Sequence, residues 1–126
     1  MDIVRRSCEA AIRGDLDTAV GDHHADVEII DTDIPDAGHY RGRDGYFRWL
    51  AQWSESFSVW SLEDLEYREG PDDRVVVLFD LRATGKGSGA EVTRGDAMVC
   101  TVGDGQITEI VYYNDQARAL AEAGLA

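Results

Sequence analysis

Four aspartates, Asp31, Asp80, Asp96 and Asp115, stand where a carboxylate could move a proton. A carboxyl group withdrawn from water holds its proton more readily, which suits acid or base work near neutral pH. In "ADVEIID", residues 25 to 31, Val27, Ile29 and Asp31 fall on one face of an extended segment, with Glu28 and Ile30 on the other. If the apolar face turns inward, Asp31 ends at the edge of the core as a general base or acid. The plainer alternative is a loop aspartate capping the next turn, because "DTDIPD" is rich in turn formers.

Asp80 interrupts the apolar run "VVVLFDLRA", residues 75 to 83, and Arg82 follows two residues later. Val75, Val77, Phe79, Leu81 and Ala83 make a complete apolar face by alternation, which puts Asp80 and Arg82 on the opposite side. They are then an exposed ion pair, worth at most about 1 kcal/mol. A bulge or sheet curvature would instead turn them into a pocket. Asp96 is in phase with Met98 and Cys100, and a cross-strand partnership with Arg82 or Asp80 is its plain reading. Asp115 has the position of a helix cap. His23, His24 and His39 do not assemble into a metal-ligand set, since adjacent helical histidines point apart, and no metal or cofactor is expected. Cys8 and Cys100 show no ligand spacing and are expected as reduced, buried thiols.

These side chains need a scaffold of one domain, residues 1–126. Ile3, Val4, Cys8, Ala11 and Ile12 recur at helical spacing up to Gly14, and Asp15 caps a second short helix through about His24. A third helix is expected from about Asp44 to Ser56, with Tyr46, Trp49, Leu50, Trp53 and Phe57 as an aromatic stripe. The period then changes to two. Four strands at 59–69, 73–85, 90–102 and 106–114 are separated by "GPDD", "GKGSG" and "GDG", which predicts an antiparallel meander, and a closing helix spans 115–125. "GKGSG" is a hairpin turn and no phosphate loop, because a strand follows it. Helices first and an antiparallel sheet afterwards make an α+β plan, with a curved sheet around the helices.

The formal net charge of −13 disfavours nucleic acid and anionic membrane surfaces as partners. No apolar run approaches the roughly 20 residues that cross a bilayer, and the N-terminal segment reads as a helix of the fold, so a cytoplasmic location is expected.

The order of these elements and six phrases resemble the SnoaL-like branch of the nuclear transport factor 2-like superfamily. The phrases are "RGDLD" at 13–17, "ADVEIID" at 25–31, "IPDAGHYRGRDG" at 34–45, "GSGAEV" at 87–92, "GDGQITEIVYYND" at 103–115 and "ARALAEAGL" at 117–125. The resemblance implies a cone-shaped α+β barrel with a deep apolar pocket, often homodimeric through its sheet. Its relatives include polyketide cyclases, ketosteroid isomerases and epoxide hydrolases, together with members that only bind. It implies a catalytic carboxylate at Asp31, and it matches Asp80 and Asp115 to the epoxide hydrolase aspartates. Leu78 stands where that family has its arginine, and Arg82 lies on the other side of Asp80. Tyr40, Trp49, Trp53, Phe57, Asp96 and Tyr113 are the expected ligand contacts. The function that follows is cofactor-independent acid/base chemistry in an apolar pocket, with Asp31, Asp80, Asp115 and Arg82 as the catalytic residues, for cyclisation, isomerisation, dehydration or epoxide opening of a polyketide-like or terpenoid-like molecule; the alternative is a non-catalytic small-ligand-binding or dimerising module.

Overall fold

The computed structural model describes residues 2–32 and 38–125. Its elements are α1 (Asp2–Ile12), α2 (Leu16–Gly21), β1 (His23–Asp31), β2 (His39–Arg41), α3 (Gly42–Ser56), β3 (Phe57–Glu69), β4 (Arg74–Gly85), β5 (Glu91–Gly103), β6 (Gln106–Tyr113) and α4 (Gln116–Glu122). The strands form one sheet in the order β2-β1-β6-β5-β4-β3, open at its β2 and β3 edges. The antiparallel meander β3 to β6 is as the turn chemistry predicts, and β1 joins it by pairing parallel to β6. The architecture is the expected α+β cone, with the sheet curved over the N-terminal helices and not closed into a barrel.

Two boundaries differ from the sequence reading. The second helix ends at Gly21, with Asp22 as its C-cap, so His23 and His24 are extended rather than helical. The main chain of His23 is held by registry opposite Ile107 of β6, a long-range pairing that local propensity does not register. Phe57, expected at the end of the aromatic helix, opens β3 instead. The short β2, paired with Glu28–Ile30 of β1, lies where a loop is expected. Residues 34–37 of the "IPDAGHYRGRDG" phrase fall outside the described residues.

The sheet buries both faces unequally. Its concave side meets α1 and α3 in the main core, which holds Val27, Ile29, Phe79, Leu81, Trp49 and Tyr112. Part of the convex side is covered by α4, over Val76, Leu78, Val99 and Tyr113. Gln116 of α4 donates to the carbonyls of Phe79 and Asp96 at 3.2 Å each, and a side chain at Gly95 would press on that glutamine. Gly42 starts α3 in the left-handed region (φ +74°), where a Cβ would lie 3.2 Å from the Ala25 carbonyl oxygen. That close approach seats α3, and with it Trp49 and Trp53, against β1.

Candidate functional site

Between the helices and the concave sheet lies a cavity of about 350 Å³, near the lower end of the roughly 300–1,000 Å³ typical of small-molecule sites. Its wall is mainly aromatic and aliphatic: Tyr46, Trp49 and Trp53 from α3, Trp60 from β3, and Ile110 and Tyr112 from β6. Tyr112 is the hub. Its ring packs edge-on against Trp49 at 5.9 Å and Trp53 at 5.1 Å between centroids.

The polar ends of these aromatics point to two buried carboxylates. Trp49 donates its indole N–H to Asp31 Oδ2 at 2.8 Å. The Tyr112 hydroxyl donates to Asp96 Oδ2 in a very short hydrogen bond. Arg94, two residues before Asp96 on the same face of β5, completes a bidentate pair at 2.6 and 3.0 Å. Asp31 is 3% exposed and Asp96 fully buried. Asp31 is the parallel-register neighbour of Tyr112, so both carboxylates gather at one end of the cavity, one aromatic layer behind its wall. Burial first, and then the charge and hydrogen bond of Asp96, push the Tyr112 phenol far above its ordinary pKa, so it remains a neutral donor.

The other sequence candidates lie elsewhere. Asp80 and Arg82 are exposed on the convex face, as alternation predicts; Arg82 sits 3.9 Å from Glu63 of β3. Asp96 does not partner either of them, because it faces the concave side. Asp115 is exposed and caps α4, accepting from the Arg118 amide at 3.2 Å. The expected trio of Asp31, Asp80 and Asp115 is therefore not brought together. Tyr113 is buried under α4 on the convex side, with the Arg118 guanidinium 5.3 Å from its ring centre. Tyr40 is half-buried on β2, where burial and the charge of Asp31 push its phenol up. Phe57 packs on Trp53 at 5.6 Å. Neither Tyr40 nor Phe57 is in the cavity wall, whereas Trp49 and Trp53 are. Both cysteines are free and contribute to the wall; Cys100 is buried, and Cys8 is half-buried with its thiol pushed up to about 12 by burial. Among the described residues no group of three His, Cys, Asp or Glu side chains is placed to hold a metal ion.

One wall residue escaped the sequence reading. His23 is fully buried, and neither ring nitrogen has a hydrogen-bond partner. Parity carried back from Val27, Ile29 and Asp31 does not account for it, because Ala25 is exposed and the pairing with β6 shifts register between His23 and Glu28; the burial of His23 is set by that irregular stretch. A buried polar atom without a partner costs about 1–3 kcal/mol. Burial pushes the imidazole down to about 4; the nearby Val20 carbonyl, outside hydrogen-bond geometry, and Asp22 oppose that shift only in part. Between about 6.5 and 4 the unfolded chain binds more protons at this position than the folded one, so stability falls as pH drops through that window, by on the order of 3 kcal/mol when complete. Denaturant unfolding across that range should show the wild type losing this much more than His23→Leu. Parallel curves would mean that the imidazole is not held neutral.

Solved structures share this fold over nearly the whole chain. An NTF2-like protein from Burkholderia pseudomallei K96243 is 24% identical, with 98% of this chain and 95% of that one covered at a TM-score of 0.79. TerC, co-crystallised with polyporic acid, is 22% identical, with 97% and 95% covered at 0.78. A proposed polyketide cyclase of Xanthomonas campestris pv. campestris is 21% identical, with 97% and 94% covered at 0.76. No curated protein matches significantly. The SnoaL-like domain family matches residues 4–110, from the first helix to the strand that carries Tyr112 to the cavity; the chain belongs to that family.

Proposed function

We propose that this chain is an acid/base enzyme acting, without a cofactor, on an apolar ring-bearing molecule of polyketide-like or terpenoid-like type. The observation that carries the reading is the pair of buried carboxylates, Asp31 and Asp96, hydrogen-bonded to aromatic residues of one cavity. Asp31, oriented by the Trp49 indole, is the proton acceptor, removing a proton from carbon next to a carbonyl. The neutral Tyr112 hydroxyl, whose one proton rests on Asp96 in the free protein, turns it to the developing oxyanion while Arg94 holds the Asp96 carboxylate. Cyclisation, isomerisation and dehydration all use such a pair. Kinship with structures described as proposed polyketide cyclases supports the substrate class.

A simple ring ketone tests this without knowledge of the natural reaction. In D2O, 2-tetralone should exchange the protons of its C1 position faster with the protein than with buffer alone, followed by NMR. The second reading, a module that binds without catalysis, draws on the fact that neither carboxylate is itself in the cavity wall. Saturable binding of 2-tetralone with no acceleration would select it.

The homodimer is likewise a proposal. The surface available is the uncovered convex strip of β3 to β5 around Asp80 and Arg82. A cytoplasmic setting suits the two free thiols. No described helix is long and apolar enough to cross a membrane.

A further inference from the structure

The proton chemistry at the Tyr112 end leaves unused a fully buried polar side chain of the cavity wall that has no hydrogen-bond partner, His23. His23 lies opposite Ile107 on β6, whereas Asp31 lies opposite Tyr112 on the same strand. The two ends are separated by five residues, roughly 16 Å at about 3.3 Å per residue. The cavity thus has an acid/base pole and, at the other end of an apolar wall, a lone imidazole.

That imidazole is firmly placed. Its main-chain carbonyl accepts from the Arg43 guanidinium at 3.0 and 3.3 Å, and the Tyr46 ring packs on it at 4.7 Å between centroids. A leucine or phenylalanine would fill the same space without an unmet hydrogen bond, so the histidine gains nothing for the free protein. A neutral imidazole carries one N–H and one bare nitrogen. The Val20 carbonyl, though outside hydrogen-bond geometry, favours an N–H on the side of the ring that faces it. The other nitrogen is then an acceptor that needs a donor from the ligand. A ketone or ether oxygen cannot supply one. A carboxylate would bring a negative charge to the same lone pair; the Arg43 guanidinium is committed to the main chain, and Arg13, in the cavity lining, is mostly exposed beside Asp15.

We propose that the His23 end of the cavity is a subsite for a ring-borne hydroxyl, so that the ligand is a phenolic or enolic ring compound whose hydroxyl donates to the imidazole. Anchored there, the ring system is held in register with Tyr112 and Asp31 at the far end. The inference rests on the cavity being the ligand site, but not on its being catalytic.

2-Naphthol, 2-methoxynaphthalene and naphthalene serve as test ligands, with binding read from the fluorescence of Trp49, Trp53 and Trp60 in the wall. The wild type should bind 2-naphthol about tenfold more tightly than the ether or the hydrocarbon, as one buried hydrogen bond allows. His23→Leu should bring 2-naphthol down to the affinity of naphthalene, leaving naphthalene within about twofold, while His23→Gln, which retains an acceptor, should keep part of the preference. Equal affinities in the wild type, or an undiminished preference in His23→Leu, overturn the proposal. If neither variant folds, the wild type decides alone: 2-naphthol at saturation must move the imidazole 15N resonances of His23, and unmoved resonances overturn it. Should none of the three ligands bind, the cavity reading itself falls and takes the subsite with it.

Discussion

Asp31→Asn is expected to slow enzyme-dependent exchange of 2-tetralone by roughly 10²–10⁴-fold, the range over which a positioned general base contributes. The change is nearly isosteric. Asparagine keeps an oxygen for the Trp49 indole, whose bond at 2.8 Å seats α3 against the end of β1. It removes the basic lone pairs that accept the proton. The melting temperature should therefore stay within a few degrees of the wild type, and affinity for a ring ligand within about twofold, because the wall of the cavity is untouched. Undiminished exchange in Asp31→Asn would remove this residue from the mechanism and leave Asp96 as the only buried carboxylate among the described residues to carry it.

The largest loss of stability is expected at Asp96. Removing one partner of a buried ion pair costs about 3–5 kcal/mol, mostly through the polar groups left behind. Asp96→Ala strands the Tyr112 hydroxyl inside the core and takes the bidentate carboxylate from Arg94. Arg94 keeps about a third of its side chain in solvent and can turn outward, so a loss near the lower end, about 3 kcal/mol, is expected, or roughly 10 °C in Tm for a domain of this size. Because the hydroxyl and the carboxylate act as a unit, Tyr112→Phe should cost little more once Asp96 is gone. Thermal unfolding of both single variants and the double variant measures this coupling. Strictly additive losses would show that the short bond contributes nothing of its own, and the seating of the Tyr112 proton on Asp96 in the proposed mechanism would fail.

Much of this frame was legible residue by residue. Strand parity placed Val75, Val77, Phe79, Leu81 and Ala83 inward and left Asp80 and Arg82 on the outer face, because a buried face leaves a period of two little freedom. The same rule put Asp31 with Val27 and Ile29, and the structure buries all three. Asp115 at the start of "DQARALAE" read as a cap, and its carboxylate does bond the Arg118 amide. The rule does not reach His23: a register shift between His23 and Glu28 breaks the alternation, and the residue belongs to β1 rather than to the second helix. The likeness of Asp80 and Asp115 to an epoxide hydrolase pair was a matter of sequence position, and the fold sets these residues apart.

Partner choice was not legible. Asp96 was visible as an inward charge in phase with Met98 and Cys100. Its partners are Arg94, two residues back on its own strand, and Tyr112 on β6, which is the register partner of Met98 rather than of Asp96. Tyr112 and Tyr113 are indistinguishable as neighbouring letters, yet one lines the cavity and the other packs under α4.

The sequence by itself determined the α+β plan, the meander and the family resemblance, because these follow from local periodicity, turn chemistry and element order; it favoured an outward Asp80 and Arg82 by parity while leaving a pocket-facing alternative that the structure closes. The tertiary structure alone decided that Asp31 and Asp96 meet the same aromatic wall and that His23 stands unpartnered at its other end. Those facts depend on the parallel pairing of β1 with β6 and on the seating of α3 across the sheet, contacts between segments far apart in the chain.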